Sequence, residues 1–461
     1  MAEKLIKEKD LPKVTSISSN DYLRAVTEDG KAVLVKTDSI FAPTPTHYWY
    51  GVEYNVNSSN PEVTRIGSLD LLRECPIQSG MRRCILKDNG DVNYYLHDNN
   101  SELTETGVKA DLSGNDGQVM VEIPQFYYKF ETKADMCRIL LSTIQLPGFS
   151  LFKKSYVSAY EASLDRTSDK LSSVVNSTER YRGGNNNAEW DGTPKSLLGM
   201  PATNISLINF QKYARNRGSS KWNCNTYTVQ TLIYWLYVVE HGTRNSQAPI
   251  TADLTPEGFK KGGLGDGVTT LSGDDWSSFN SQNPFIKCGI TNSLGNKTGA
   301  VSFKMPADYG DLTVEVPSYH GIENPFGHIW KWTDGCKVLI QSDADGGKSL
   351  FYTCNNPSDF HFDGTSNYKL AGSLPRSDGY IKEVLFGSDG DILPKEIGGG
   401  SSSYFCDYFY TNIPDTGVSE RGVLFGGSAN YGSNAGFVCS YADSTASYAN
   451  ASIGSRLCYL E

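Results

Sequence analysis

Nowhere in its 461 residues does the chain reach the ~18–20 consecutive apolar residues that a bilayer-spanning helix needs. The opening segment, MAEKLIKEKDLPK, lacks the apolar core of a secretory signal. The chain is therefore expected to be made and kept in a cytoplasm, or to leave it without a cleaved leader, for instance inside a virus particle. There is no basic block either. Lys and Arg number 42 against 52 Asp and Glu, a formal net charge of −10, whereas a nucleic-acid binder needs a cationic face to neutralise phosphates. No nucleic-acid partner and no membrane insertion are expected.

The signatures of common chemistry are also missing. Ten cysteines stand apart from one another, at Cys75, Cys84, Cys137, Cys224, Cys288, Cys336, Cys354, Cys406, Cys439 and Cys458. No Cys-x-x-Cys pair exists, which excludes zinc-ribbon and thioredoxin-like readings; reduced, buried thiols acting as small hydrophobes are expected. Six histidines form no HExxH pattern, and His320 and His328 are eight residues apart with Pro325 between them; they are expected to be structural. Gly262–Gly267 is glycine-rich but lacks a following Lys-Ser/Thr and a preceding apolar strand, so a turn is expected rather than a phosphate loop. No GxSxG elbow occurs. Carboxylates such as Glu122, Glu161, Glu240, Glu323, Asp334 and Asp343 can pair as acid and base only after folding. The expectation is a protein that is not an enzyme and holds no cofactor and no metal.

What is abundant is aromatic and flexible: 27 Tyr, 19 Phe, 7 Trp and 45 Gly. That mixture suits a loop-rich fold pinned by buried rings, not a helical bundle. Tyr22–Val26 and Ala32–Val35 alternate around Thr27-Glu28-Asp29-Gly30, a hairpin signal. Residues 1–46, ending in the stiff linker Pro43-Thr44-Pro45-Thr46, read as a small β attachment peg. Residues 47–160 are strand-like. Cys84–Leu96 is a hairpin turning at Asp88-Asn89-Gly90, and Val119–Phe130 is a strand with Pro124 marking an edge or bulge. Two helices follow, one capped by Ser206 over Leu207–Arg217 and closed by Gly218, the other capped by Thr228 over Val229–His241 and closed by Gly242. Val229, Leu232, Ile233 and Leu236 give the second a buried stripe. Beyond residue 243 the chain reads as short strands and long loops, with Gly398–Ser403 a mobile loop.

Three segments resemble one family. They are Pro201–Ser206 leading into the first helix, Glu323-Asn-Pro-Phe-Gly-His-Ile-Trp330-Lys-Trp332-Thr-Asp334-Gly335, and Arg421-Gly-Val-Leu-Phe-Gly426-Gly427-Ser428 closing in Ile453-Gly454-Ser455-Arg456-Leu457. Together they resemble the formylglycine-generating-enzyme type of C-type-lectin fold over roughly residues 48–461. The resemblance implies an α+β domain at 47–461 with two helices and short antiparallel strands. Enzymatic members carry paired cysteines after the Gly-Gly-Ser; Tyr431 and Gly436 stand there in this chain, so the resemblance implies a retained fold without the reaction. The Glu-Pro-Asn order of calcium-dependent sugar-binding lectins is absent, since Glu323-Asn324-Pro325 is reversed. Within the family, residues 427–458 resemble the variable region of proteins diversified by retroelements, among them phage tropism determinants. Leu11-Pro12, Thr15 and Asp21-Tyr22-Leu23 resemble the attachment modules of phage tail and fibre proteins.

This resemblance implies a recognition region at about 421–461. Its candidate ligand-binding residues are Ser428, Asn430, Tyr431, Tyr441, Asp443, Ser444, Ser447, Tyr448, Asn450 and Ser452. The chemistry agrees: Tyr supplies area at low entropy cost, and Ser, Asn and Asp supply adaptable hydrogen bonds. Val423–Phe425, Phe437–Cys439 and Ser455–Tyr459 read as core strands that hold these residues on a rigid base. The implied role is a phage virion fibre or receptor-binding protein, a homotrimer joined to phage structural proteins through its N-terminus and gripping a host cell-surface receptor, protein or glycan. A cellular retroelement-diversified or lectin-like surface protein is the alternative.

Overall fold

The computed structural model describes residues 22–26, 31–36, 46–306 and 312–461. Within them the fold is mixed α+β, dominated by strands. Tyr22–Val26 pairs antiparallel with Ala32–Lys36, as the alternation predicts. The expected turn at 27–30, residues 1–21 and positions 43–45 of the linker lie outside the described residues.

One apolar core runs from Tyr50 to Cys458 and is shared by several sheets. At its centre lies the helix Tyr227–His241, in which every residue but Thr228 is buried. A helix covered on all sides has no polar face to show water, so the four-residue stripe seen in the sequence understates it. Trp235 stacks edge-on against Phe386 at 5.3 Å, and Tyr227 against Phe351 at 5.3 Å. Gly242 closes the helix in the left-handed region (φ 74°) as expected. The start differs from expectation: Thr226 holds the cap position, and Thr228 sits inside the first turn, donating its hydroxyl to Asn355 Oδ1 at 3.0 Å. The helix Leu207–Arg215 begins as expected, with Ser206 Oγ accepting from the Asn209 N–H, and ends two residues earlier than the sequence predicts.

The strands depart from the expected short antiparallel set. Trp330–Gln341 runs for 12 residues between Ser349–Thr353 and Val418–Gly426. It is buried along nearly its whole length, because the helices Tyr227–His241 and Leu207–Arg215 both pack against it. Its register slips between Thr333 and Val338. Gly335 makes the bulge possible: its φ is +77°, and a Cβ there would meet the Phe360 ring at 2.7 Å. Among the described strands, Tyr408–Thr411 pairs parallel with Gly436–Ala442 and Trp330–Lys331 with Ile453–Gly454. Shorter helices also occur at Leu69–Glu74, Pro76–Ser79 and Gly273–Asn280.

Val119–Phe130 is not one strand. Gln118–Ile123 belongs to a seven-stranded sheet and Phe126–Lys133 to a five-stranded one. Pro124, which has no N–H for a ladder, stands where the chain changes sheets. The last strand, Leu457–Leu460, inserts between Ser155–Ser158 and Trp222–Cys224, tying the C-terminus into the middle of the chain. All ten cysteines are free and buried, as expected. Residues 262–266 run as bends with Gly262 and Gly265 at positive φ, the N–H groups of Gly263, Leu264 and Gly265 bonded to the carbonyls of Pro249, Ser246 and Ala248, and a turn begins at Gly267.

Candidate recognition surface

Beneath the C-terminal segments lies a buried ionic cluster. Glu161 is enclosed with Lys331 and His328. Lys331 Nζ approaches Glu161 Oε1 at 2.9 Å, and His328 Nδ1 donates to Glu161 Oε2. His328 Nε2 accepts the Phe285 and Ile286 N–H groups, both at 3.3 Å, which fixes the proton on Nδ1. Burial works against the Glu161 charge, but Lys331, then His328 and Arg456, overcome it and hold the carboxyl down at about 2. Burial also pulls Lys331 down to about 8. The Arg456 guanidinium donates to the carbonyls of Ser158, Glu323 and Asn324. Glu323 in turn accepts Gly289 N, Thr291 N and the Thr291 hydroxyl. The Glu323–Trp330 segment is thus clamped by ions from distant parts of the chain.

On this floor Trp330 begins the long strand, 3% exposed. Three phenol rings close around its indole: Tyr431 at 5.0 Å edge-on, Tyr441 at 5.7 Å and Tyr410 at 6.3 Å. Tyr410 meets Tyr431 at 5.3 Å and Tyr441 at 5.8 Å. The series continues outward through Tyr408, 4.6 Å from Tyr410, to Tyr380, 4.9 Å from Tyr408. All five are half-buried, so each presents part of a ring held by its neighbours. The parallel register makes Tyr410 and Tyr441 direct partners. Strand alternation sends Tyr408 and Tyr410 outward while Phe409 fills the core.

The polar groups complete the surface. Tyr380 OH and Asn434 Oδ1 are hydrogen-bonded, and Asn434 Nδ2 donates to Tyr410 OH at 2.7 Å. Tyr441 OH donates to Asp443 Oδ2 at 2.9 Å, and Asn450 Nδ2 to Tyr448 OH at 3.2 Å. Burial raises the pKa of Tyr410, Tyr431 and Tyr441, so these phenols keep their protons at neutral pH and act as paired donors and acceptors. The loop after Asp443 is anchored by its backbone. Asn204 N donates to Asn450 O at 2.9 Å, Ile208 N to Ala446 O at 3.3 Å and Trp330 N to Ser452 O at 2.9 Å.

Of the residues expected at the site, Tyr431 and Tyr441 meet on Trp330. Tyr448 is 44% exposed, and Ser447 is exposed beside it. Asn430, Asp443, Asn450 and Ser452 are half-buried. Two expectations are corrected. Ser428 is 1% exposed, its hydroxyl turned onto Asn430 Oδ1 where the chain folds under after Gly426-Gly427. Ser444 is 8% exposed, its carbonyl tied to the Gly422 N–H. Neither presents its side chain to a partner. Tyr380, Tyr408 and Tyr410 were missed because they precede the 421–461 region. The alternation Tyr408-Phe409-Tyr410-Thr411 was the available signal. Cys439 lies in the core, its thiol pushed well above the ordinary range by burial. Among the described residues no three His, Cys, Asp or Glu side chains converge as a metal site.

No family model and no curated protein matches the chain. Two solved structures are similar over much of its length: a Major Tropism Determinant M1 Variant and a Major Tropism Determinant U1 Variant. Both are 13% identical, with 96% of this chain and 82% of theirs covered, at TM-scores of 0.26 and 0.25. TM-scores of that size do not establish a shared fold, and no property of those proteins passes to this chain through them.

Proposed function

We propose that this chain is a binding protein of a phage particle, a fibre or receptor-binding protein that grips a host cell-surface molecule through its tyrosine-lined C-terminal surface. The observation that carries the reading is the seating of Tyr410, Tyr431 and Tyr441 on the buried Trp330, extended by Tyr408 and Tyr380. Rigid phenols surrounded by Ser, Asn and Asp are the chemistry of a paratope. Their protons stay in place, so they contribute contact and hydrogen bonds rather than proton transfer.

In this reading residues 47–461 are an elaborated C-type-lectin-like unit and residues 1–46 attach it to the particle. Copies assembled as a trimer engage the cell by avidity, since linked sites raise the effective concentration of one another. The experiment is adsorption of the purified protein to host cells, comparing the unaltered chain with Tyr448→Ala and Asp443→Ala. Loss of adsorption at unchanged melting temperature supports the reading. Undiminished adsorption in both variants removes it. Light scattering at micromolar concentration tests the trimer, and a monomer there would remove that part.

A further inference from the structure

A cleft of about 780 Å³ opens elsewhere on the molecule and shares no lining residue with the tyrosine surface. Its floor is the end of the buried helix, Glu240 and His241, together with His320. Glu240 is fully spent. It accepts the Tyr319 hydroxyl at 2.9 Å and His320 Nε2 at 2.9 Å, and it pairs with the Lys260 ammonium. His320 holds its position with a left-handed backbone (φ 44°), a conformation a non-glycine residue keeps only when its surroundings impose it. Its Nε2 faces both Glu240 carboxylate oxygens, at 3.0 and 2.9 Å, and Nδ1 is left for another partner. His241 is 6% exposed, and neither of its ring nitrogens has a hydrogen-bond partner among the described residues. Burial pulls His241 down to about 4, so at neutral pH it offers one N–H and one lone pair. An orphaned buried donor and acceptor are costly to leave unmade.

The walls add three kinds of group. Thr251, Thr298 and Asn99 are neutral and polar. Ile250 and Leu254 are exposed apolar side chains on one wall. At the mouth Lys261 and Lys297 are exposed and make no ion pair among the described residues, while Arg82 is engaged by Asp98 and Glu105. Asp253 is the acidic lining residue left to oppose the two lysines.

We propose that this cleft binds an acidic sugar, its hydroxyls met by the floor histidines and wall amides and hydroxyls, its anionic group by Lys261 and Lys297. A hydroxyl both donates and accepts, which is what a neutral imidazole requires of a partner. A carboxylate or phosphate matches the surplus of unpaired ammonium groups. Ile250 and Leu254 face the C–H side of the ring. The volume suits one or two sugar units. This site stands independently of the tyrosine surface and of any host receptor.

The test is calorimetry on the full chain with galacturonate, glucose-6-phosphate, galactose and acetate, repeated on the K261A/K297A double variant, whose changes are at exposed positions. Galacturonate or glucose-6-phosphate is expected to bind with Kd ~1 mM, and galactose and acetate each about 10-fold more weakly. The double variant is expected to bind the acidic sugar no better than galactose while melting at the same temperature. Whichever acidic sugar binds more tightly identifies the anionic group. Equal binding of acetate and galacturonate, equal binding by the double variant, or no heat from either acidic sugar at ~50 mM would overturn the proposal.

Discussion

The tyrosine surface and the ionic floor beneath it are a few side chains apart and are built on opposite principles. The floor is charged and closed to water: Glu161 is ion-paired to Lys331 and hydrogen-bonded by His328, Arg456 donates to three carbonyls, and Glu323 accepts from three donors. The surface is largely neutral, half-open and held by ring contacts and single hydrogen bonds. Losing one partner in the floor strands a buried charge, whereas losing one phenol from the surface exposes a neighbour to water. The difference teaches where substitution is tolerated: side chains above Trp330 can change while the backbone that carries them stays fixed.

The largest effect is expected in the floor. Glu161→Ala leaves the Lys331 ammonium and the His328 N–H without their carboxylate and should cost ~3–5 kcal/mol in urea melts. Trp330→Ala should cost a similar ~3–5 kcal/mol as a core ring, and should also weaken adsorption because three tyrosines lose their seat. An unchanged melt in either variant would erase the distinction between floor and surface.

Strong acid should unsettle the floor. Glu161 titrates near 2 when folded, well below its ordinary 4.5. Its stabilisation is complete above about 4.5 and is lost as pH falls through about 2, because the unfolded chain takes up the proton first. Between pH 6.5 and 4 His241 is opposed by carboxyls that burial raises, Asp391 together with Asp407, Asp334 and Glu323. His241, pulled down to about 4 by burial, costs stability as pH falls. Asp391, pushed up to about 6 by burial, returns it. The steep loss should therefore fall below pH 4.5, and Glu161→Gln should reduce it in a melt series from pH 7 to 2, leaving the part carried by Glu240 and Asp165, which are also held low.

Smaller effects belong to the surface. Tyr448→Ala should weaken host adsorption by ~1–3 kcal/mol with little change in stability. Ser447→Ala, exposed and hydrogen-bonded to the Thr445 hydroxyl, should stay within ~0.5 kcal/mol on both counts.

Local features were legible in the sequence. Ser206 and Gly242 announced the ends of their helices, and the spacing of Val229, Leu232, Ile233 and Leu236 announced a buried face. The separated cysteines read correctly as core thiols. What the sequence concealed was long-range pairing. Nothing near Lys331 names Glu161 as its partner, and nothing near Tyr441 names Tyr410, because both meetings depend on how distant strands are ordered. Composition marked residues 421–461 as polar and phenolic, yet polarity alone could not separate Ser447, which faces water, from Ser428 and Ser444, which fold under. That separation is set by backbone turns after Gly427 and by the pairing of Ser444 with Gly422.

The most direct measurement is a paired one on the double variant Tyr441→Ala/Tyr448→Ala: thermal melting, and adsorption to cells that bind the unaltered protein. The expected result is a melting temperature within ~5 °C of the unaltered chain and adsorption reduced by ~10-fold or more. A collapsed melting temperature with adsorption per folded molecule undiminished would contradict it, and would assign these phenols to the framework instead.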